Sequence, residues 1–387
     1  MGRKSSRTIN RYVNRQNKIY LSEKGGQYNK IFKARLVAQG YSQREGIDYQ
    51  ETFSGVVDKV GVRLCFHVIA SYGFKCAKFD VTTAFLNATL SEEIYVTLPA
   101  EIFPASSGRV HKLRRALYGL KQSPRAWQTE FSATLSRFGF TATDKDPCVY
   151  VLISDGNLRA ILGVHVDDGL LGADGIELLE KIIKFLESVY KLTFSMEPNL
   201  YLALEAEWHR NEHTVVLRQS EYISKLAEKF GIDNSREIKI PMDPRAQLFK
   251  RSGNELQTVR PYRELVGALI YISTCTRPDV AFAVNRHAQY FADPTDVHYD
   301  SALKILGYLN STCRLGLRLG GRNITGNLAV YADADFAGDE ESRNSITGNC
   351  IYFGDSLISW TSKKQKLKAS SSTEAEFLSA FYSLQYL

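Results

Sequence analysis

The chain lacks any CxxC pair: its six cysteines, at 65, 76, 148, 275, 313 and 350, are widely scattered. That spacing excludes a thiolate zinc finger and a dense disulfide framework and points to reduced thiols. No run of 18 apolar residues occurs, and the basic start MGRKSSRTIN has no apolar stretch behind it, so neither a membrane span nor a signal peptide is expected. Charge of one sign is barely in excess, since 49 Lys and Arg against 42 Asp and Glu leave +7 over 387 residues. This balance suits a polyanionic partner such as nucleic acid without requiring one. Internal repeats and low-complexity tracts are missing, as are a protease-like DTG or DSG, a zinc knuckle and an integrase-like His/Cys cluster.

The apolar content of 44% is enough to fill the cores of two or three domains. Residues 1–30, rich in Arg, Lys, Asn and Gln, show little periodicity and read as a poorly ordered basic leader. From 31 to 190, apolar runs such as LRAILGVHV alternate with helical stretches such as LCFHVIASYGF, the mixed pattern of an α+β domain. A strand, a helix and a Pro-flanked segment follow over 191–246, ending near IKIPMDP. Residues 247–321 read mostly helical, through YRELVGALIYIST, DVAFAVNRHAQYF and DVHYDSALKILGYLNST. After Gly320 and Gly321, three strand-like runs precede the helix STEAEFLSAFYSL.

The sharpest local signal is ILGVHVDDGLLG (161–172), a hairpin pattern carrying two adjacent aspartates. Asp-Gly between apolar runs is the strongest short hairpin signal, so Asp168 and Gly169 alone fit plain turn chemistry. A third carboxylate shifts the balance: Asp80 ends the apolar strand pattern of AKFDVTTAFL. Nucleotidyl transfer uses hard cations with oxygen ligands, two of which clamp the attacking and leaving oxygens. Three carboxylates on neighbouring strand ends would supply those ligands. Successive strand side chains face opposite sides, so Asp80 and Asp167 are expected to bridge and Asp168 to ligate more weakly.

Five blocks then carry a resemblance. KARLVAQGYSQREGIDYQETFSGVV (33–57), FDVTTAFLNATLSEEIYV (79–96), LRRALYGLKQSPRAW (113–127), DPCVY (146–150) and HVDD (165–168) match, in order, blocks of copia-type LTR retrotransposon reverse transcriptases. The likeness continues through PYRELVGALIYISTCTRPDVAFAV and YADADFAGD to SSTEAEF, so the chain resembles that family from about residue 30 onward. The resemblance implies an RNA-directed DNA polymerase built as a right hand. Fingers and palm would span 31–190, a thumb-like segment 191–246, a helical connection 247–321, and a truncated ribonuclease H-like α/β module 322–387.

The resemblance also implies two Mg2+ ions on Asp80, Asp167 and Asp168, with Mn2+ as a substitute. Its partners would be an RNA template, a DNA primer, the RNA/DNA hybrid, dNTPs and other retroelement proteins, in cytoplasmic particles by analogy. Phe85 would lie under the incoming sugar and exclude a 2′-hydroxyl, although an aromatic in TTAFL fits the core equally well. Lys33 or Arg35 would hold the triphosphate; the block alignment leaves open which. In YGLKQSPRAW, Tyr118 belongs to the nucleotide site and Gly119 lets the backbone approach nucleotide and template. Lys121 and Arg125 offer phosphate contacts or form a solvated surface. His165 stands where the family usually has tyrosine, FLNAT replaces FLNG, and Ser54-Gly55 replaces Ala-Pro. The degenerate leader, His165 and the early end also fit a catalytically inactive remnant that at most binds nucleic acid.

Asp333 in YADADF and Glu376 in SSTEAEF match the first two acids of a ribonuclease H site, and the basic run 362–368 either touches hybrid backbone or forms a solvated loop. The family's third aspartate would follow on a later strand, beyond Leu387. Little or no ribonuclease H activity is therefore expected. Incubation with a labelled RNA/DNA hybrid and magnesium checks it: the RNA strand should stay intact at the level of a protein-free control.

Overall fold

A computed structural model of the protein describes residues 17–24, 31–99, 102–106, 108–232, 237–243, 248–250, 256–322 and 326–385. The chain divides into two compact units, 1–57 with 77–196, and 58–76 with 197–387. Mixed sheet and helix in both units give the α+β class that the apolar patterning implied.

In the first unit, β1 (Asn17–Lys24) and β2 (Ile31–Ala38) form an antiparallel ribbon, Asn17 opposite Ala38. Of the expected leader 1–30, residues 17–24 form β1, each with a ladder position along β2; the rest lies outside the described residues. β3 (Lys75–Val81), β6 (Thr141–Ala142), β7 (Val149–Ser154), β8 (Asn157–His165), β9 (Asp168–Ala173) and β10 (Leu192–Met196) make a six-stranded sheet in the order β10-β3-β9-β8-β7-β6. A smaller ribbon pairs β4 (Tyr95–Thr97) with β5 (Val110–Lys112).

Helices α2 (Ser123–Phe138) and α3 (Ile176–Val189) share one core with the large sheet. Trp127, Phe131 and Leu135 from α2 and Leu179, Ile182 and Leu186 from α3 meet Phe79, Val81, Leu162 and Leu171 there. Each such side chain contributes roughly 1.5–3 kcal/mol when taken out of water. α2 opens on Pro124 in its first turn, where a missing N–H costs nothing, and stops at Gly139, whose φ of +111° an L side chain would resist.

The second unit contains α1 (Lys59–Ser71) and a four-stranded sheet of β11 (Leu200–Tyr201), β12 (Leu204–His209), β13 (Thr214–Arg218) and β14 (Leu317–Gly320). α4 (Ser220–Lys229), α5 (Tyr262–Cys275), α6 (Ala281–Ala288) and α7 (Asp296–Ser311) enclose a core of Ile223, Tyr262, Leu265, Leu269, Val284 and Leu306 among others. A three-stranded antiparallel sheet of β15 (Leu328–Asp335), β16 (Ile346–Phe353) and β17 (Ser356–Lys364) precedes α8 (Ser372–Leu384).

The two units are coarser than the five expected segments and cross them twice. α1, expected with fingers and palm, packs inside the second unit: Arg63 donates to the carbonyls of Ile358 (2.7 Å) and Thr274 (2.8 Å) and lies 4.3 Å over the Trp360 ring. β10, at the start of the thumb-like segment, completes the first unit's sheet, with Leu192 opposite Val81. Among the described residues no helix is long and apolar enough to cross a membrane.

Two buried histidines make the second unit sensitive to acid. His67 pairs through Nδ1 with Ser356 Oγ (2.7 Å), and His287 through Nδ1 with the Ala283 carbonyl (2.8 Å). Burial pushes both rings down from 6.5 to about 4. Above pH 6.5 both are neutral, folded or unfolded; between about 6.5 and 4 the unfolded chain takes up protons that the folded one refuses. Stability is therefore full above 6.5 and falls as the pH drops, by about 2 kcal/mol per ring at pH 5. Calorimetric melts should show a lower melting temperature at pH 5 than at pH 7.5, with a shallower dependence in His67→Asn.

Candidate active site

Asp80 sits on β3 one residue before its end, exposed between the buried Phe79 and Val81, as strand alternation dictates. β8 and β9 are joined by a two-residue turn, His165 pairing with Asp168 across it. Val166 and Asp167 therefore form the turn itself, and Asp168 begins β9. The plain-turn reading of Asp168 and Gly169 is corrected accordingly. Gly169 serves a different need: a Cβ there would lie 2.2 Å from the Phe79 ring, so glycine lets β9 approach β3.

The Asp167 carbonyl accepts from Val81 N–H at 2.9 Å, which ties the end of β3 to this turn. As a result, Asp80, Asp167 and Asp168 each offer a carboxylate oxygen within 4.8 Å of the others. Among the described residues they form the one group of three such donors. Burial first, and then the charges of Asp167 and Asp80, raise the Asp168 carboxyl above its ordinary range, while His165 and Lys78 pull it partly back. An all-oxygen, mutually repelling donor set fits a hard divalent cation, which would relieve that repulsion.

Beside the carboxylates, Phe85 stands on a short 3-10 helix (Ala84–Asn87), its ring 4.7 Å from that of Tyr118. Arg35 on β2 lies over the other ring, 5.8 Å from its centroid. Burial raises the Tyr118 hydroxyl's pKa, and the charges of Asp167 and Asp80 act in the same direction. The structure thus brings Asp80, Asp167, Asp168, Phe85, Tyr118 and Arg35 into one neighbourhood. Lys33 is on β2 opposite Ser22; its side chain lies outside the described residues.

The remaining block residues are placed differently. Gly119, with φ +90°, packs against β2, where a Cβ would meet the Ala38 carbonyl at 2.1 Å and where Ala38 N–H donates to the Tyr118 carbonyl (2.7 Å). Lys121 reaches the Tyr49 hydroxyl at 3.1 Å. Arg125 pairs with Glu51 and donates to the Phe53 carbonyl (3.3 Å), so its charge is largely compensated within the protein. Asp333 on β15 and Glu376 on α8 are both exposed, with Ser379 Oγ bonded to the Asp333 carbonyl at 2.6 Å. No group of three ligating side chains forms around them among the described residues.

Sequence reasoning missed three groups. Lys78 is two residues before Asp80, on the same strand face. Gln43 and Gln122 form a buried amide pair (2.9 Å) that joins the 39–49 loop to the start of α2. Trp127 lies inside the block LRRALYGLKQSPRAW and donates its indole N–H to the Val166 carbonyl at 2.6 Å. The alternation of β3 could have revealed Lys78; the other two depend on contacts distant in sequence.

Fold and site together define an α+β protein with a candidate acidic centre suited to divalent cations. The profile of the reverse transcriptase (RNA-dependent DNA polymerase) family matches residues 8–244, and the chain belongs to that family. It is 38% identical over 349 residues to the Retrovirus-related Pol polyprotein from transposon RE1 of Arabidopsis thaliana, covering 90% of this chain and 24% of that protein. It is 35% identical over 360 residues to the corresponding polyprotein from transposon TNT 1-94 of Nicotiana tabacum, covering 90% and 27%. A putative transposon Ty5-1 protein of Saccharomyces cerevisiae is 29% identical over 305 residues, 78% of this chain and 97% of its own length. The chain spans about a quarter of the length of the Pol polyproteins it matches.

Crowding of like charge gives a measurable consequence. Asp168→Asn removes a carboxylate raised by burial and by its acidic neighbours, so the cation-free protein should melt higher, by about 2 °C. The same variant should bind Mn2+ more weakly in a calorimetric titration.

Proposed function

We propose that the chain is an RNA-directed DNA polymerase of the copia type, adding deoxynucleotides to a primer 3′-hydroxyl with two magnesium ions, or manganese in their place. The observation that carries this reading is the convergence of Asp80, Asp167 and Asp168 within 4.8 Å, in a chain of the reverse transcriptase family. In this reading the six-stranded sheet is the palm, the β1–β2 ribbon belongs to the fingers, and β11–β14 with α4–α7 supply thumb and connection.

Bound divalent cations would supply Lewis-acid stabilisation of the charge that develops as the primer hydroxyl attacks and pyrophosphate leaves. The protein's own residues position the reactants. Asp80 and Asp167, presented from two backbone segments joined at Val81, would hold the cations, which would draw the primer 3′-hydroxyl and the α-phosphate together. Phe85, braced by Tyr118, forms an apolar ledge under the incoming sugar, where a 2′-hydroxyl would lose its hydration without gaining a partner. Arg35, with Lys33 on the same strand, supplies charge-assisted bonds to the triphosphate. Lys121 offers a phosphate contact from the exposed turn, whereas Arg125, paired with Glu51, shapes the neighbouring loop. Template RNA, DNA primer and their hybrid would lie over this face of the sheet.

The β15–β17 sheet with α8 is read as ribonuclease H-like, with Asp333 and Glu376 as two of its acids.

Primer extension on poly(rA)/oligo(dT) with magnesium tests the polymerase reading. The wild-type chain should extend, and Asp167→Asn should extend at least about 10²-fold more slowly while keeping its fold. Folded wild-type protein without extension would leave an inactive, nucleic-acid-binding remnant.

A further inference from the structure

The turn that carries Asp167 is held in a conformation its sequence resists. Val166 has φ +59°, and a β-branched residue in that region is a steric outlier. Two contacts keep it there. Asp167's carbonyl is bound by Val81 N–H at 2.9 Å, and Val166's carbonyl by the Trp127 indole N–H at 2.6 Å. Trp127 is 2% exposed and cannot swing away, because its ring is wedged between Phe131 (5.1 Å between centroids) and Tyr190 (5.2 Å). Tyr190 is itself anchored to Thr134 Oγ1 at 2.7 Å. Successive carbonyls of one turn are thus gripped by two different elements, β3 and α2, and the Asp167 carboxylate projects from between them.

We infer that Trp127 is a positioning residue: through its bond to the Val166 carbonyl it holds the strained turn so that Asp167 presents its oxygens alongside Asp80 and Asp168. This inference rests on the polymerase reading for its catalytic consequence, but its first consequence, cation binding, does not. Without the indole N–H, Val166 relaxes toward negative φ and the peptide linking it to Asp167 rotates. The Asp167 carboxylate then leaves the position where three oxygens meet. Outer residues that orient ligands commonly change metal affinity or activity by about 10–100-fold.

The test compares the full-length chain with Trp127→Phe, which keeps an aromatic ring against Phe131 and Tyr190 but has no N–H. Free Mn2+ is followed by electron paramagnetic resonance, and primer extension gives kcat and the KM for dTTP. Mn2+ affinity and kcat are each expected to fall about tenfold or more, with KM for dTTP nearly unchanged. Adding Val166→Gly should restore most of both losses, because glycine adopts positive φ freely and needs no restraint. Replacing Trp127 with 3-benzothienylalanine, an indole isostere lacking N–H, should reproduce the Trp127→Phe losses and guards against a packing defect. A lowered melting temperature with unchanged Mn2+ affinity in both single replacements would overturn the inference and leave Trp127 a core residue only. Wild-type protein that binds Mn2+ through Asp167 but does not extend primers would sink the polymerase reading, while the titration still decides the role of Trp127.

Discussion

The bond from Val81 N–H to the Asp167 carbonyl holds the end of β3 against the turn between β8 and β9, and the acidic centre exists only while that junction holds. Asp80 and the Asp167–Asp168 pair are more than 80 residues apart in the chain, and their charges repel. The junction is maintained by what lies behind it. Phe79 packs beneath Gly169, Val81 and Leu171 are buried, and α2 and α3 seal the opposite side with aromatic and branched side chains. Burial of that many apolar groups outweighs the repulsion of three carboxylates by a wide margin.

Strain gathers around the acids. Val166 and Thr83, both β-branched, adopt φ of +59° and +54° on either side of the centre, at a cost of about 1–3 kcal/mol each. Thr83 turns the chain from β3 into the short helix that brings Phe85 to Tyr118. Val166 makes the turn that places Asp167. Both positions trade local stability for the placement of a side chain; Val166 is held by Trp127 and Thr83 by bonds within its own turn. The raised carboxyl of Asp168 is a second form of the same trade, since a cation would stabilise what the apo protein holds under repulsion.

The cations around the centre differ in what the fold leaves them to do. Arg35 stacks over Tyr118 and stays exposed, and Lys121 leans on Tyr49. Arg125, adjacent in the same block, is neutralised by Glu51. Their residue types are alike, yet Arg125 meets a carboxylate where Arg35 and Lys121 meet aromatic rings. Such differences arise from loops that meet across 70 or more positions in the chain, as with Gln43 and Gln122.

Much of this protein could be read without its structure. Apolar runs marked β3 and β8, helical stretches marked α5 and α7, and the order of the motif blocks identified the family and the three aspartates, because these signals are local and each residue carries its own part. What short-range patterns could not supply was pairing. Periodicity made α1 a helix but could not assign it to Trp360 and Ile358, and it made 192–196 a strand without revealing β3 as its neighbour. Asp-Gly suggested the turn two residues late, since the reason for Gly169 is the Phe79 ring, 90 residues earlier. Amino-acid order alone determined which groups this protein has available: three carboxylates, an aromatic pair and a handful of cations. Their meeting within hydrogen-bonding and ligating distance was decided only by tertiary structure, because strand register and side-chain contact depend on segments that the chain brings together from far apart.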